Sequence, residues 1–115
     1  MGMMFGFGEH RRQLLRQELT RIAGELPALG ARGTILINDV LVAGTASVDA
    51  ELELLVVLDS GEPFHRRADF LTSHLRPRVG TRFLVYTPSE IDRLRESDRV
   101  LRGALLRGQV LDEIR

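Results

Sequence analysis

Two glutamates one residue apart, Glu51 and Glu53 in ELELLVVLD, stand just before four consecutive apolar residues, Leu55 to Leu58. Side chains alternate along a strand, so both carboxylates project from one face. A carboxylate pair so placed could hold a divalent cation for phosphoryl-type chemistry. The plainer reading is a half-exposed strand entry, with Leu52 and Leu54 turned inward and both acids in water, and the sequence favours it. Asp39, directly after TILIN, reads as a turn residue whose side chain bonds nearby backbone N–H groups. The remaining reactive residue types form no constellation. His65 and His74 lie nine positions apart, on nearly opposite faces of a helix at about 100° per residue, and cannot share a metal. Ser47, Ser60, Ser73 and Ser97 have no histidine in a hydrolase-like context. The glycines of FGFG, Phe5 to Gly8, lack the preceding strand and the lysine that a phosphate loop needs.

Composition narrows the classes further. The chain has 115 residues, 43% of them hydrophobic, enough for one core and too few for two ordinary domains. Its formal net charge is zero, so no global basic field draws nucleic acid. All sixteen basic residues are arginine, scattered over every segment and alternating with acids. Arg11, Arg12 and Arg16, and likewise Arg66 and Arg67, read as solvated helix faces; five phenylalanines and one tyrosine are too few to interleave them as a stacking platform. Cysteine is absent, which excludes disulfides, thiolate metal sites and cysteine nucleophiles. Residues 1–8 form an apolar leader without the basic start and cleavage site of a secretory signal, and no apolar run is long enough to span a bilayer. The expectation is a cytoplasmic domain, 9–115, that binds neither membrane nor nucleic acid.

The elements that must position these residues follow from periodicity. Leu15, Leu19, Ile22, Leu26 and Leu29 recur at steps of four and three, predicting an amphipathic helix over 9–29 that leaves Glu18, Arg21 and Glu25 in water and ends at Pro27 and LGARG. Residues 34–38 predict a first strand, 40–49 a loop, and 51–58 a second strand whose continuous apolar half is covered on both faces. Phe64, Ala68, Leu71 and Leu75 predict a second helix, and TRFLVY a third strand. TPSE predicts a helix start, with Thr87 as cap, Pro88 in the first helical position and Glu90 reaching back. From there to Arg115 the pattern reads as helical, with a second cap near Ser97-Asp98. The expected fold is α+β, about three strands in a small mixed sheet with helices packed against it, in the order α-β-β-α-β-α.

ELELLVVL and RFLVYTPSEIDRL, in this layout, resemble the minimal nucleotidyltransferases of the polymerase-beta superfamily. That motif is an apolar strand, Gly-Ser, about ten residues, Asp-x-Asp before an apolar run, and a third aspartate on a later strand near a TP helix start. The likeness extends from about Leu14 through the tail LRGALLRGQVLDEI. Asp39-Val40 occupy the Gly-Ser positions, Gly44 a glycine often found soon after, Glu51 and Glu53 the first two acids, and Leu84 the third. Such enzymes transfer a nucleoside monophosphate from a triphosphate with divalent metals held by three carboxylates. Here Asp39 sets a negative charge beside the triphosphate position, Val40 offers no hydroxyl, Glu51 is a methylene longer, and 79–87 contains no acid. The resemblance therefore implies a nucleotidyltransferase fold that has lost catalysis and binds or assembles, such as the antitoxin-like member of a two-protein system with a small helical partner. No cofactor is then expected. The alternative is a divergent active enzyme using Mg²⁺ at Glu51 and Glu53, with a third ligand such as Asp49.

Leu106, Val110 and Ile114 step by four along the last predicted helix, beside the core stripe of Leu101, Ala104, Leu105 and Leu111. A second apolar stripe on one helix is either broad burial or a surface for a second copy or a partner protein, and the sequence leaves both open.

Overall fold

In the computed structural model, which describes residues 2–41 and 49–115, the apolar run of the second strand dictates the layout. Strand β2 (Leu52–Val57) buries every side chain except that of Glu53. A strand apolar on both faces must be central and must be covered twice. Strand β1 (Gly33–Leu36) pairs with it antiparallel, from Gly33 opposite Val57 to Leu36 opposite Leu54. Strand β3 (Thr81–Tyr86) pairs parallel on its other side, from Leu52 opposite Thr81 to Val57 opposite Tyr86. A parallel pair needs a crossover, and helix α2 (Phe64–Leu75) supplies it.

The two faces have separate cores. On one, Leu52, Leu54, Val56 and Val85 meet Leu15 and Ile22 of helix α1 (Gly2–Glu25) and Leu71 of α2. On the other, Ile35, Leu55, Val57 and Tyr86 meet Ile91 of helix α3 (Pro88–Leu94) and Leu101 and Ala104 of helix α4 (Arg99–Arg107). The fold is thus α+β with a mixed sheet. Among the described residues no helix is long and apolar enough to cross a membrane.

The sequence reading needs four corrections. The sheet has a fourth strand, β4 (Gln109–Asp112), antiparallel to β1, giving the order β3-β2-β1-β4. The helical run to Arg115 therefore ends at Arg107, and Leu106, Val110 and Ile114 do not form a helical stripe. Gly108 explains the break: its backbone is extended (φ −71, ψ 160), and a Cβ there would lie 2.3 Å from Ile35 and 2.6 Å from the Ala104 carbonyl. Only glycine lets the chain turn back against β1 so closely. Secondly, α1 begins at Gly2, running through the leader, and ends at Glu25; Leu26–Leu29 is a 3₁₀ turn around Pro27, closed by left-handed Gly30 (φ 101).

The third and fourth corrections concern charge. Glu18 is buried, not solvated. Its carboxylate accepts from the Arg21 guanidinium and from the Arg78 backbone N–H at 2.9 Å, while Arg21 Nη2 also donates to the Leu75 carbonyl at 2.8 Å. This ties α1 to the end of α2. Arg67 is buried as well. It donates to Glu90 from both terminal nitrogens (2.6 and 3.1 Å), to the Val85 carbonyl at 3.0 Å and, through Nε, to the Glu62 carbonyl at 2.9 Å. Glu90 also closes the expected capping box, accepting from the Thr87 N–H at 2.9 Å. One carboxylate thus satisfies a buried guanidinium and a helix terminus together.

Removing one partner of such a pair leaves the other desolvated and unmatched. Arg67→Met is expected to lower unfolding free energy by about 3 kcal/mol, read from urea denaturation. Hydrogen bonds from Arg21 and Arg67 hold Glu18 and Glu90 below the usual carboxylate range, against the opposing effect of burial. The folded state then binds protons less readily than the unfolded chain, so this stabilisation is complete above the ordinary glutamate value and is lost as pH falls through and below it. The thermal midpoint should drop between about pH 5 and pH 3, and the drop should be shallower in a Glu18→Gln, Glu90→Gln variant.

Candidate functional site

The entry to β2 is set by bonds from three directions. Asn38 donates to the Glu51 carbonyl at 2.8 Å and accepts from the Glu53 N–H at 3.2 Å, so its side chain continues the β1–β2 ladder past the last backbone pair. Arg11 of α1 donates to the Ala50 carbonyl at 2.6 Å, and the Leu52 N–H donates to the Gly80 carbonyl at 2.9 Å. These bonds fix which way Glu53 points, because strand alternation does the rest. It faces the α4 side, with Leu55 and Val57.

There Glu53 lines a groove of about 500 Å³ between the sheet and α4. Ile37, Leu84, Tyr86 and Ala104 also line it, and Arg82, Arg99 and Arg107 bring positive charge to it. Arg82 sits opposite Glu53 in the parallel register and approaches it at 3.8 Å. Tyr86 donates to Asp98 at 3.1 Å, and Asp98 also caps α4 by accepting from the Leu101 N–H at 3.0 Å. Burial, then the neighbouring Asp98 carboxylate, pushes the Tyr86 phenol up to about 12. It therefore stays a neutral donor at physiological pH.

The residues singled out from the sequence separate in space. Glu53 and Leu84 share this groove. Glu51 lies just outside β2, exposed, with its carboxylate over Gly80: a Cβ on Gly80 would come within 2.7 Å of Glu51 Cγ. Asp39 lines a neighbouring cavity of about 260 Å³ that shares Ile37 and Arg107 with the groove. Val40 packs against the opposite core, under α1. Gly44 lies outside the described residues. Asp49 is exposed in a turn. Among the described residues no group of three or more histidine, cysteine, aspartate or glutamate side chains is placed to hold a metal ion. Of the expected interface residues, Leu106 is 69% exposed on α4, Val110 is 48% exposed on β4, and Ile114 is half-buried against the second core.

Arg82, Arg99 and Arg107 were missed as site residues. Arg82 was findable, since it is two positions before Leu84 and so on the same strand face. Arg99 and Arg107 needed the end of α4 at Gly108, which the apolar pattern of the tail obscures. No family model matches the chain, and no curated protein or solved structure does.

The Arg82–Glu53 contact is long and its two side chains are 66% and 36% exposed, so water screens it. Glu53→Gln should change unfolding free energy by less than about 0.5 kcal/mol in urea titrations. A larger loss would mean that Glu53 holds the strand entry together.

Proposed function

We propose that this chain is a nucleotidyltransferase-fold protein that no longer transfers nucleotides and acts as a binding or assembly module. The observation that carries the reading is the identity of the side chains beside Glu53. A working site of that kind needs a third carboxylate converging on the metals, and the face of β3 that meets Glu53 offers Leu84 and Arg82 instead. Leucine cannot ligate. The Arg82 guanidinium places a fixed positive charge where a divalent cation would gain most, and repels it. Glu51, turned onto Gly80, does not line the groove, and the other carboxylate that does, Asp98, is engaged by the Tyr86 hydroxyl and the Leu101 N–H.

The α+β class, the mixed sheet and the helix that begins at Thr87-Pro88 after β3 are compatible with this reading, and β4 is a departure from the expected order. By that analogy the protein would be the antitoxin-like member of a two-protein system, holding its partner by contact and not by modification. Fold alone does not fix such a role, and the partner surface has to be argued from its own chemistry.

A ligand that binds the native state raises its thermal midpoint. ATP, GTP, CTP or UTP with Mg²⁺ or Mn²⁺ is expected to leave the midpoint unchanged up to millimolar concentration. A dose-dependent rise that Glu51→Ala or Glu53→Ala abolishes would overturn the reading in favour of a divergent metal-dependent enzyme.

A further inference from the structure

Helix α4 contains three arginines and no acid, and Arg99, Arg102 and Arg107 are all exposed. Among the described residues none of the three has an acidic partner within ion-pair distance. Helix stability accounts for Arg107, in the last turn where the dipole favours a cation, but not for the other two. Arg99 is the first residue of α4, where the positive end of the helix dipole disfavours a cation. Arg107 lies back over Gly103, where a Cβ would come within 3.0 Å of its Nη2. The absent side chain at 103 leaves room for that guanidinium at the groove.

Apolar groups are interleaved with these charges. Val100 is 48% and Leu106 69% exposed. The surface is also continuous. The groove of about 500 Å³ passes over α4 into a hollow of about 230 Å³ that shares Arg99, Gly103 and Arg107, and then into one of about 320 Å³ that shares Arg102 and Leu106. A small molecule would occupy one of these hollows; a segment of another chain is needed to cover all three.

We propose that this surface docks an acidic amphipathic helix of a partner protein, its carboxylates meeting Arg99, Arg102 and Arg107 and its apolar side chains covering Val100 and Leu106. The proposal rests on the binding-module reading and names the chemistry of the partner. Arg99, Arg102 and Arg107 step by three and then five along α4, so at about 100° per residue Arg99 lies between the other two and the set spans a broad face of the helix. Acids three and four apart along the partner make a matching acidic face, and the long arginine side chains reach it from both sides of Arg99. A symmetric second copy meeting on this face would set arginine against arginine. A nucleic acid would answer the charge and leave Val100 and Leu106 uncovered, and the chain's zero net charge gives it no long-range attraction.

The test is a phage-displayed library of random 16-residue peptides selected on the immobilised protein and counter-selected on an Arg99→Glu, Arg102→Glu, Arg107→Glu variant. Selected peptides are then synthesised with fluorescein and titrated by anisotropy. The expected peptides carry Asp or Glu at every third or fourth position with apolar residues between. Their affinity should fall at least about tenfold on the charge-reversed protein and weaken with added salt. Circular dichroism checks that the variant is folded; if it is not, Arg102→Gln alone replaces it, with a smaller loss expected. No enrichment, no acidic bias, or equal binding to the reversed protein overturns the proposal. So does tighter binding of a labelled 12-nucleotide RNA or DNA to the same arginines. All steps omit nucleotide and metal, so a chain that binds magnesium nucleotide and still captures acidic peptides fails only the earlier reading. One that binds neither fails only this proposal.

Discussion

Burial of β2 on both faces is the constraint from which the rest of the molecule follows. Leu54, Leu55, Val56 and Val57 are inaccessible to solvent, and four such side chains in succession cannot be satisfied by one layer of helix. α1 and α2 cover one side, and α3 and α4 must then cover the other. The four-residue β4 extends the sheet beyond β1. The candidate site is a by-product of that second cover. α4 lies over Leu55 and Val57 but leaves the entry of β2 open, and the gap is the groove that Glu53 lines.

Charge within the fold is used in two different ways. The two buried charged residues, Glu18 and Arg67, are well matched: each has an ion pair, to Arg21 and to Glu90 respectively, and each also bonds backbone groups of elements distant in sequence. Desolvated pairs of this kind hold only when every remaining hydrogen-bonding group is met. Around the groove the charges are loosely matched and wet. Arg82 meets Glu53 at 3.8 Å, and the α4 arginines share their hollows with Glu53, Asp98 and Glu96 but form no ion pair among the described residues. Loosely held charge costs little in isolation and is available to something else. That contrast is why the buried pairs are read as architecture and the groove as function.

Much of this was legible before any coordinates. The apolar run of β2, the leucine spacing of α1 and the Thr87-Pro88-Glu90 cap each carry a local physical signal strong enough to survive folding. The tail did not, because Leu101, Leu105 and Leu111 suit a helix and a strand equally well over short stretches. What decides there is Gly108, whose role depends on Ile35, a residue more than seventy positions away. Glu18 and Arg67 were misread for the same reason: a charged residue on a helix is assigned to water by default, and only the tertiary arrangement brings the Arg78 N–H or Glu90 within reach. Within the site, the acids were visible in the sequence and the approach of Arg82 to Glu53 was not, since cross-strand register is settled by the whole sheet.

We propose that the face bearing Glu53, where Arg82, Arg99 and Arg107 outnumber the acids, does not hold a divalent ion. Paramagnetic broadening of backbone amide signals tests it most directly, with substoichiometric Mn²⁺ added alongside a non-hydrolysable ATP analogue. The account predicts uniform, weak broadening, with the amides of Glu51, Glu53, Arg82 and Leu84 no more affected than others at similar exposure. Selective loss of those four signals, reversed by excess Mg²⁺, would place a divalent ion at the strand entry and contradict it.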